Sequence, residues 1–390
     1  MKALQFGAGN IGRGFLGQLY FESGYEITFV DVNPTVIQAL NDRKGYDIQI
    51  LGEDAQFVHV TGARCLALSD TEAVAQAVME ADIAGTSVGV AHLADVAPAL
   101  AAGLNMRLAA PGPRPLDVIL CENMLNASGF MREKVGALID PALASVFESH
   151  AGFVEASVGR MVPVVSQGTR LEDPLWVGVE AYCELPVDAQ GFRGPIPPIK
   201  NLLPKPNFAA YVERKLFVHN AGHASAAFLG YLKHFEFVWE AMQDPRIRPI
   251  VDAAMAESCE GLHRKHGMPL DELQVHAEDL KRRFQNRALG DQVARVAGDP
   301  LRKLGPDDRL IGAMKMCESQ GVAPENLATA TAAALLYDNP DDAGALKLHA
   351  MWSEVGPEGI LESLCGLSAG SPLARLVLKQ ATQVEVLVRF

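Results

Sequence analysis

Ala3-Leu4-Gln5-Phe6-Gly7-Ala8-Gly9-Asn10-Ile11-Gly12 is the stretch that decides the fold. Ala3 to Phe6 reads as a strand. Over Asn10 to Ser23, Ile11, Phe15, Leu16, Leu19 and Tyr20 fall close to one helical face, and Gly24 supplies the stop. A Gly-x-Gly-x-x-Gly that leaves a strand and opens a helix is the context a dinucleotide fingerprint requires. Gly7 allows the tight turn, Gly9 lets backbone approach a pyrophosphate, and Gly12 lets helix and strand pack closely, with Ala8, Asn10 and Ile11 completing the loop. A second strand, Ile27 to Val30, ends at Asp31, 19 residues after Gly12. A carboxylate there accepts hydrogen bonds from the adenosine ribose and repels a 2′-phosphate, which favours NAD over NADP. Arg13, if folded over the adenosine, would soften that preference.

Outward from this unit, the first half alternates short apolar runs with helical patterns, the signature of βαβ units and a parallel sheet. Asn33 and Pro34 start a helix over Thr35 to Arg43, and a hairpin follows over Tyr46 to Val60 around Gly52 and Glu53. Ser69 and Glu72 form a capping box for the next helix. Ile83 to Val88 and Leu116 to Cys121 read as later parallel strands, separated by a helical stretch within Ala91 to Leu104 that Pro98 kinks or divides. Five of the twelve residues from Pro195 to Pro206 are proline, so this segment is a stiff connector. Beyond it, Phe208 to Leu232, Ile250 to His266, Leu270 to Phe284, Asp307 to Gln320, Asn326 to Leu336 and Leu346 to Trp352 have helical period. The expectation is an α/β protein: an N-terminal Rossmann-type parallel-sheet domain over residues 1–194 and an all-α C-terminal domain over residues 195–390.

The 390-residue length agrees with two domains, each able to bury its own core. A net charge of −13 argues against a nucleic-acid or anionic-membrane partner, which needs a basic face. The first apolar run is broken by glycine after six residues and no long apolar stretch follows, so neither secretion nor a membrane span is expected. Cys65, Cys121, Cys183, Cys259, Cys317 and Cys365 are scattered, with no pairing at zinc spacing. They read as reduced thiols of a cytoplasmic protein that carries no metal.

A dehydrogenase needs an acid or base at the reacting oxygen and a group that holds negative charge there. Tyr211 and Lys215 have the Tyr-xxx-Lys spacing of a short-chain dehydrogenase, yet they fall after the proline connector instead of within the Rossmann domain. The other set is Lys215, Asn220 and His223. At 100° per residue, Asn220 lies about 140° and His223 about 80° around an α-helix from Lys215, so the three share one arc. A lysine with its pKa lowered by burial and nearby cations can act as a general base, and an Asn amide can hold an oxyanion. Singly, an exposed lysine, a capping Asn and a core His are the commoner fates of these residue types.

The fingerprint Phe6 to Gly14, together with Val212-Glu213-Arg214-Lys215-Leu216-Phe217, Asn220 and Gly222-His223, resembles the polyol-specific long-chain dehydrogenase, or mannitol dehydrogenase, family. The likeness extends through Cys121-Glu122-Asn123-Met124, Arg283-Phe284-Gln285-Asn286, Pro300 to Leu304 and Asp308-Arg309-Leu310, and so spans most of the chain. It implies a zinc-independent NAD enzyme in which Lys215 is the acid/base, Asn220 and His223 complete the pattern, and Asn123 is a second oxyanion donor. Without the resemblance, Asn123 would read as a helix cap. The implied reaction is hydride transfer at C5 between D-mannitol 1-phosphate and D-fructose 6-phosphate, with the site in the cleft between the domains. Val158-Gly159-Arg160 departs from the family's Val-Asp-Arg, which leaves fine polyol specificity open.

Arg295, Arg302, Lys303 and Arg309 are the candidates for the substrate phosphate, since a dianion suits a guanidinium plus an ammonium. Their alternative is solvated charge paired with Asp299, Asp307 or Asp308. A phosphate cluster separates the polyol-phosphate reading from sister reactions on free polyols or hexuronates, such as mannitol 2-dehydrogenase or fructuronate reductase. The rival of another class is a catalytically silent NAD-binding sensor, which would keep the glycines and Asp31 without the Lys-Asn-His set.

Overall fold

Short apolar runs joined by helices can pair in parallel only if each connection crosses over the sheet. The computed structural model describes residues 1–52, 56–163 and 172–389. Its strands are β1 (Lys2–Phe6), β2 (Glu26–Asp31), β3 (Gly45–Ile50), β4 (Gln56–Thr61), β5 (Arg64–Ala67), β6 (Ile83–Thr86), β7 (Leu116–Leu120), β8 (Ala151–Glu155), β9 (Val177–Val179), β10 (Leu185–Asp188) and β11 (Leu202–Lys205). Six of them form one parallel sheet in the order β5-β2-β1-β6-β7-β8. With the β3–β4 hairpin set aside, this is the doubly wound dinucleotide-binding order, reversing between β1 and β6. The β-period of two divides the core. Ala3 of β1 and Ile119 of β7 join one apolar cluster with Phe15, Leu19 and Leu40, while Leu4, Phe6, Val118 and Leu120 join the other with Val74, Leu100 and Met131.

The chain divides into two units, Met1–Phe208 and Ala209–Phe390. In unit 1, Asn33 caps the helix Pro34–Arg43 by accepting from the Thr35 and Val36 amides. The cap of the helix Thr71–Glu80 is Asp70, which accepts from the Ala73 amide, and not Ser69. The carboxylate one residue later reaches the third helical N–H, and Glu72 sits in the first turn, where it favours the helix dipole. The helix Leu93–Ala109 runs undivided through Pro98. β3 and β4 pair antiparallel as the expected hairpin, although its turn at Glu53 lies outside the described residues. Strand β8 and the helices Ala127–Gly136 and Ala144–His150 were not anticipated. The proline-rich connector is non-helical and its β11 pairs with β10.

Unit 2 is built of helices. Ala221–Leu232 is largely buried and rich in Ala and Gly so that neighbours approach closely: a Cβ on Gly222 would stand 2.7 Å from Met255 Sδ. The helix expected from Asp307 starts at Ile311, after the turns of Gly305 to Asp308. The Leu346–Trp352 segment is part of Ala343–Ser363, which breaks at Gly356 (φ +67°). A further helix, Pro372–Arg389, closes the chain.

Candidate active site

In unit 1 a cleft of about 720 Å³ opens at the β1/β6 reversal, lined by Ala8, Gly9, Asn10, Ile11 and Asp31, with Ser87 to Gly89 from the loop after β6. The glycines differ in what they permit. Gly7 has φ +89°, and a Cβ there would lie 2.6 Å from the Ser87 carbonyl oxygen; a Cβ on Gly12 would lie 1.9 Å from the Gly7 carbonyl oxygen. A Cβ on Gly9 would meet nothing within 4 Å, so this is where a ligand's phosphates can approach the backbone. Asp31 holds the loop. Its Oδ2 accepts from the Ala8 amide at 2.7 Å, and Oδ1 accepts from Val32 and Asn33 at 2.8 and 2.9 Å. A carboxylate has about four acceptor sites, so Oδ2 retains one for a ribose hydroxyl. Glu122 fixes the opposite rim by accepting from the Val88 and Gly89 amides, each at 2.9 Å. Burial pushes its carboxyl up, against the pull of those two N–H groups.

Pro174 and Trp176 form a wall of the cleft that sequence reading missed. Arg13 is buried, donates to the Pro174 carbonyl at 3.2 Å, and so serves that wall. Nothing local in Asp173 to Trp176 announces a ligand. Asn123 is exposed in the loop after β7, next to Glu122. The cap of the following helix is Asn126, whose side chain accepts from the Gly129 amide, so that role is not Asn123's. At Gly159 a Cβ would make only ordinary contact with Tyr182 at 3.5 Å, so packing does not demand a glycine there.

In unit 2 the helix Phe208–Arg214 continues through a π-helical segment, Lys215–Asn220, into Ala221–Leu232. The Ala221 amide reaches back five residues to the Leu216 carbonyl. One inserted residue makes the step from Lys215 to Asn220 equivalent to about four α-helical steps, or ~40°, and that to His223 to about seven, or ~20° the other way. The arc is therefore tighter than the 140° of a regular helix. From Phe217 to Gly230 only Asn220 and His223 are not buried. Tyr211, the rival to Lys215, has the Arg214 guanidinium 4.6 Å over its ring.

His223 Nε2 lies 2.6 Å from Asp291 Oδ2, and its ring stacks on Phe284 with centroids 4.9 Å apart and planes 8° apart. The other Asp291 oxygen pairs with Arg295. Burial alone would raise the Asp291 carboxyl, but the His223 hydrogen bond and Arg295 hold it below the usual carboxylate range. Behind them, His219 is buried and neutral, pushed well down by burial and then by Arg283, His223, His276 and Lys215. Burial, then Arg214 and Arg283, push His276 down to about 3.

Three of the four phosphate candidates come together and one does not. Arg302 bonds Asp299 at 2.8 Å and approaches Asp308 at 3.4 Å, and Arg309 bonds Asp308 at 2.7 Å. Lys303 is 5% exposed, and among the described residues its ammonium forms neither hydrogen bond nor ion pair. Burial, then Arg309 and Arg302, push it down to about 8. Arg295 belongs instead to the Asp291–His223 group. Among the described residues no group of three His, Cys, Asp or Glu is placed to hold a metal ion, all six cysteines are unbridged, and no helix is long and apolar enough to cross a membrane.

Residues 1–201 match the mannitol dehydrogenase Rossmann domain and residues 207–360 the mannitol dehydrogenase C-terminal domain. The chain is 39% identical to a mannitol-1-phosphate 5-dehydrogenase of Brevibacillus brevis, covering 99% of this chain and 98% of that one. It is 37% identical to the Bacillus subtilis protein of the same name, covering 98% and 100%. Among solved structures, the mannitol 2-dehydrogenase of Pseudomonas fluorescens in a ternary complex with NAD and D-mannitol shares the fold, with a TM-score of 0.73 at 19% identity over 100% of this chain and 94% of that one. A substrate-free D-sorbitol dehydrogenase superposes with a TM-score of 0.81 at 17% identity, over 98% and 93%.

Proposed function

This chain belongs to the mannitol dehydrogenase family, and on that premise we propose that it is an NAD-dependent polyol-phosphate dehydrogenase of the cytoplasm, interconverting D-mannitol 1-phosphate and D-fructose 6-phosphate. The observation that carries the reading is the near-complete coverage of two relatives bearing that activity in their names. A bound nicotinamide would supply the hydride acceptor in oxidation and the hydride donor in reduction at C5. The cleft suits its dinucleotide because Gly9 leaves backbone open to the phosphates while Asp31 offers an acceptor to the ribose and a repelling charge to a 2′-phosphate. Lys215 takes the C5 hydroxyl proton in oxidation and returns it in reduction, with no metal required. Asn220 and Asn123 donate amide N–H groups to the oxygen as charge builds on it, and His223 orients the polyol. Arg302, Lys303 and Arg309 receive the phosphate: a buried ammonium flanked by two guanidinium groups gains a counter-ion when a dianion arrives. That cluster favours a phosphorylated substrate over a free polyol or a hexuronate. The test follows NADH absorbance with fructose 6-phosphate, fructose and a hexuronate. Oxidation of NADH with fructose 6-phosphate far above the others is expected, and preference for a free ketose or hexuronate would reassign the substrate.

A further inference from the structure

His223 and Arg295 come from different segments, yet one carboxylate holds both. Asp291 follows Gly290, whose φ of +54° turns the chain, and its own backbone is clamped. Val238 donates to the Asp291 carbonyl at 2.9 Å, Val293 to the Glu236 carbonyl at 2.9 Å, and Phe237 bridges Gln292 between them. The side chain is 11% exposed and that of His223 is 15% exposed, so little water competes for the 2.6 Å contact. On the other side, the imidazole is stacked on Phe284. Ring plane and one ring nitrogen are thus both fixed.

We propose that Asp291 is a positioning residue for the reaction: by accepting from His223 Nε2–H it sets the tautomer and angle of the imidazole and leaves Nδ1 as the ring nitrogen that meets substrate. The inference rests on the reading of Lys215, Asn220 and His223 as the site. A carboxylate acceptor keeps the proton on the nitrogen it faces, so Nδ1 is an acceptor for a polyol hydroxyl. The second carboxylate oxygen pairs with Arg295. A clamped backbone and a stacked ring make the pair pre-organised, which is what an orienting group needs in order to act before substrate arrives.

The test uses the full-length protein in two ways. Side-chain ¹⁵N spectra, with His223 assigned through His223→Gln, should place its proton on Nε2 in the wild type, and this should be lost in Asp291→Ala. A proton on Nδ1 in the wild type overturns the proposal. In kinetics, Asp291→Ala should lower kcat/KM for fructose 6-phosphate by roughly 10- to 150-fold, the effect of losing one hydrogen bond to a charged group, while NADH affinity stays unchanged. Asp291→Asn preserves the volume but sets an amide N–H against one of the two donors, so it should also lose at least about tenfold. In a His223→Ala background the effect of Asp291→Ala should shrink to within about twofold, as for residues that act through one another. An equal cost with and without His223 makes Asp291 a general structural residue and overturns the proposal. If the wild type fails to reduce fructose 6-phosphate at all, the activity reading falls, while the ¹⁵N measurement still judges the pair.

Discussion

Replacing Asp31 by Asn changes no volume, so its consequences isolate what the carboxylate does. In the protein Oδ2 accepts from Ala8 while Oδ1 accepts from Val32 and Asn33. Asparagine has one acceptor oxygen. Turned toward Val32 and Asn33, it keeps those two bonds and sets its own NH₂ against the Ala8 amide; flipped, it loses both instead. Ala8 is 1% exposed, so the opposed N–H finds little water and the loss is about 1 to 3 kcal/mol. For a unit of this size that lowers the thermal midpoint by roughly 2 to 12 °C. It also accelerates hydrogen exchange of the Ala8 amide by roughly 5- to 150-fold. The charge that repels a 2′-phosphate disappears with it, so dissociation constants from fluorescence titration should move toward NADP relative to NAD. A changed cofactor ratio with wild-type midpoint and wild-type Ala8 exchange would refute the tether. A destabilised protein with an unchanged ratio would make Asp31 structural alone.

Lys303 gives a pH signature. Its value of about 8 in the fold lies below the ordinary 10.5, so between pH 8 and 10.5 the unfolded chain holds the extra proton and stability rises with pH; below pH 8 the fold bears the full cost, on the order of 3 kcal/mol. Lys303→Met should raise the urea midpoint at neutral pH and flatten that rise, and an unaltered slope would count against the buried cation. Lys215→Ala should slow turnover by about 10² to 10⁴-fold with NADH affinity intact; near-normal turnover would return the acid/base role to Tyr211. Arg302→Ala should cost fructose 6-phosphate roughly 10- to 150-fold in kcat/KM and leave fructose nearly untouched. Equal losses on both would show that the phosphate is held elsewhere.

The parts legible in the sequence are those whose requirement is local. Gly7 and Gly12 are demanded by contacts with Ser87 and with the loop itself, and the result is a glycine spacing anyone can read off the chain. The longer helices between Phe208 and Trp352 are legible because each carries its own period, whereas Pro372–Arg389 and the short helical turns were not read from the sequence. What escaped depends on distant partners or on register. Asp291 reaches His223 across 68 positions and has no signature of its own. Pro174 and Trp176 line the cleft from a segment far from the fingerprint. Strand β8 completes the sheet edge beside β7 but has a pattern too short to separate from its helical neighbours. Ser69 and Asp70 are both good caps, and only the position of the first N–H groups chooses between them. Likewise, the four basic candidates look alike in sequence, whereas the structure sends Arg295 to Asp291 and keeps the other three together.

The π-helical register at Lys215–Asn220 has a consequence for anyone who would transplant this chemistry. Lys-x4-Asn-x2-His copied onto an idealised α-helix spreads its three groups over about 140°, against roughly 60° in the π-helical register. The transferable unit is the irregular backbone bond from Ala221 to Leu216 together with the packing that keeps it, and a graft that regularises the helix would preserve every residue name while widening that arc.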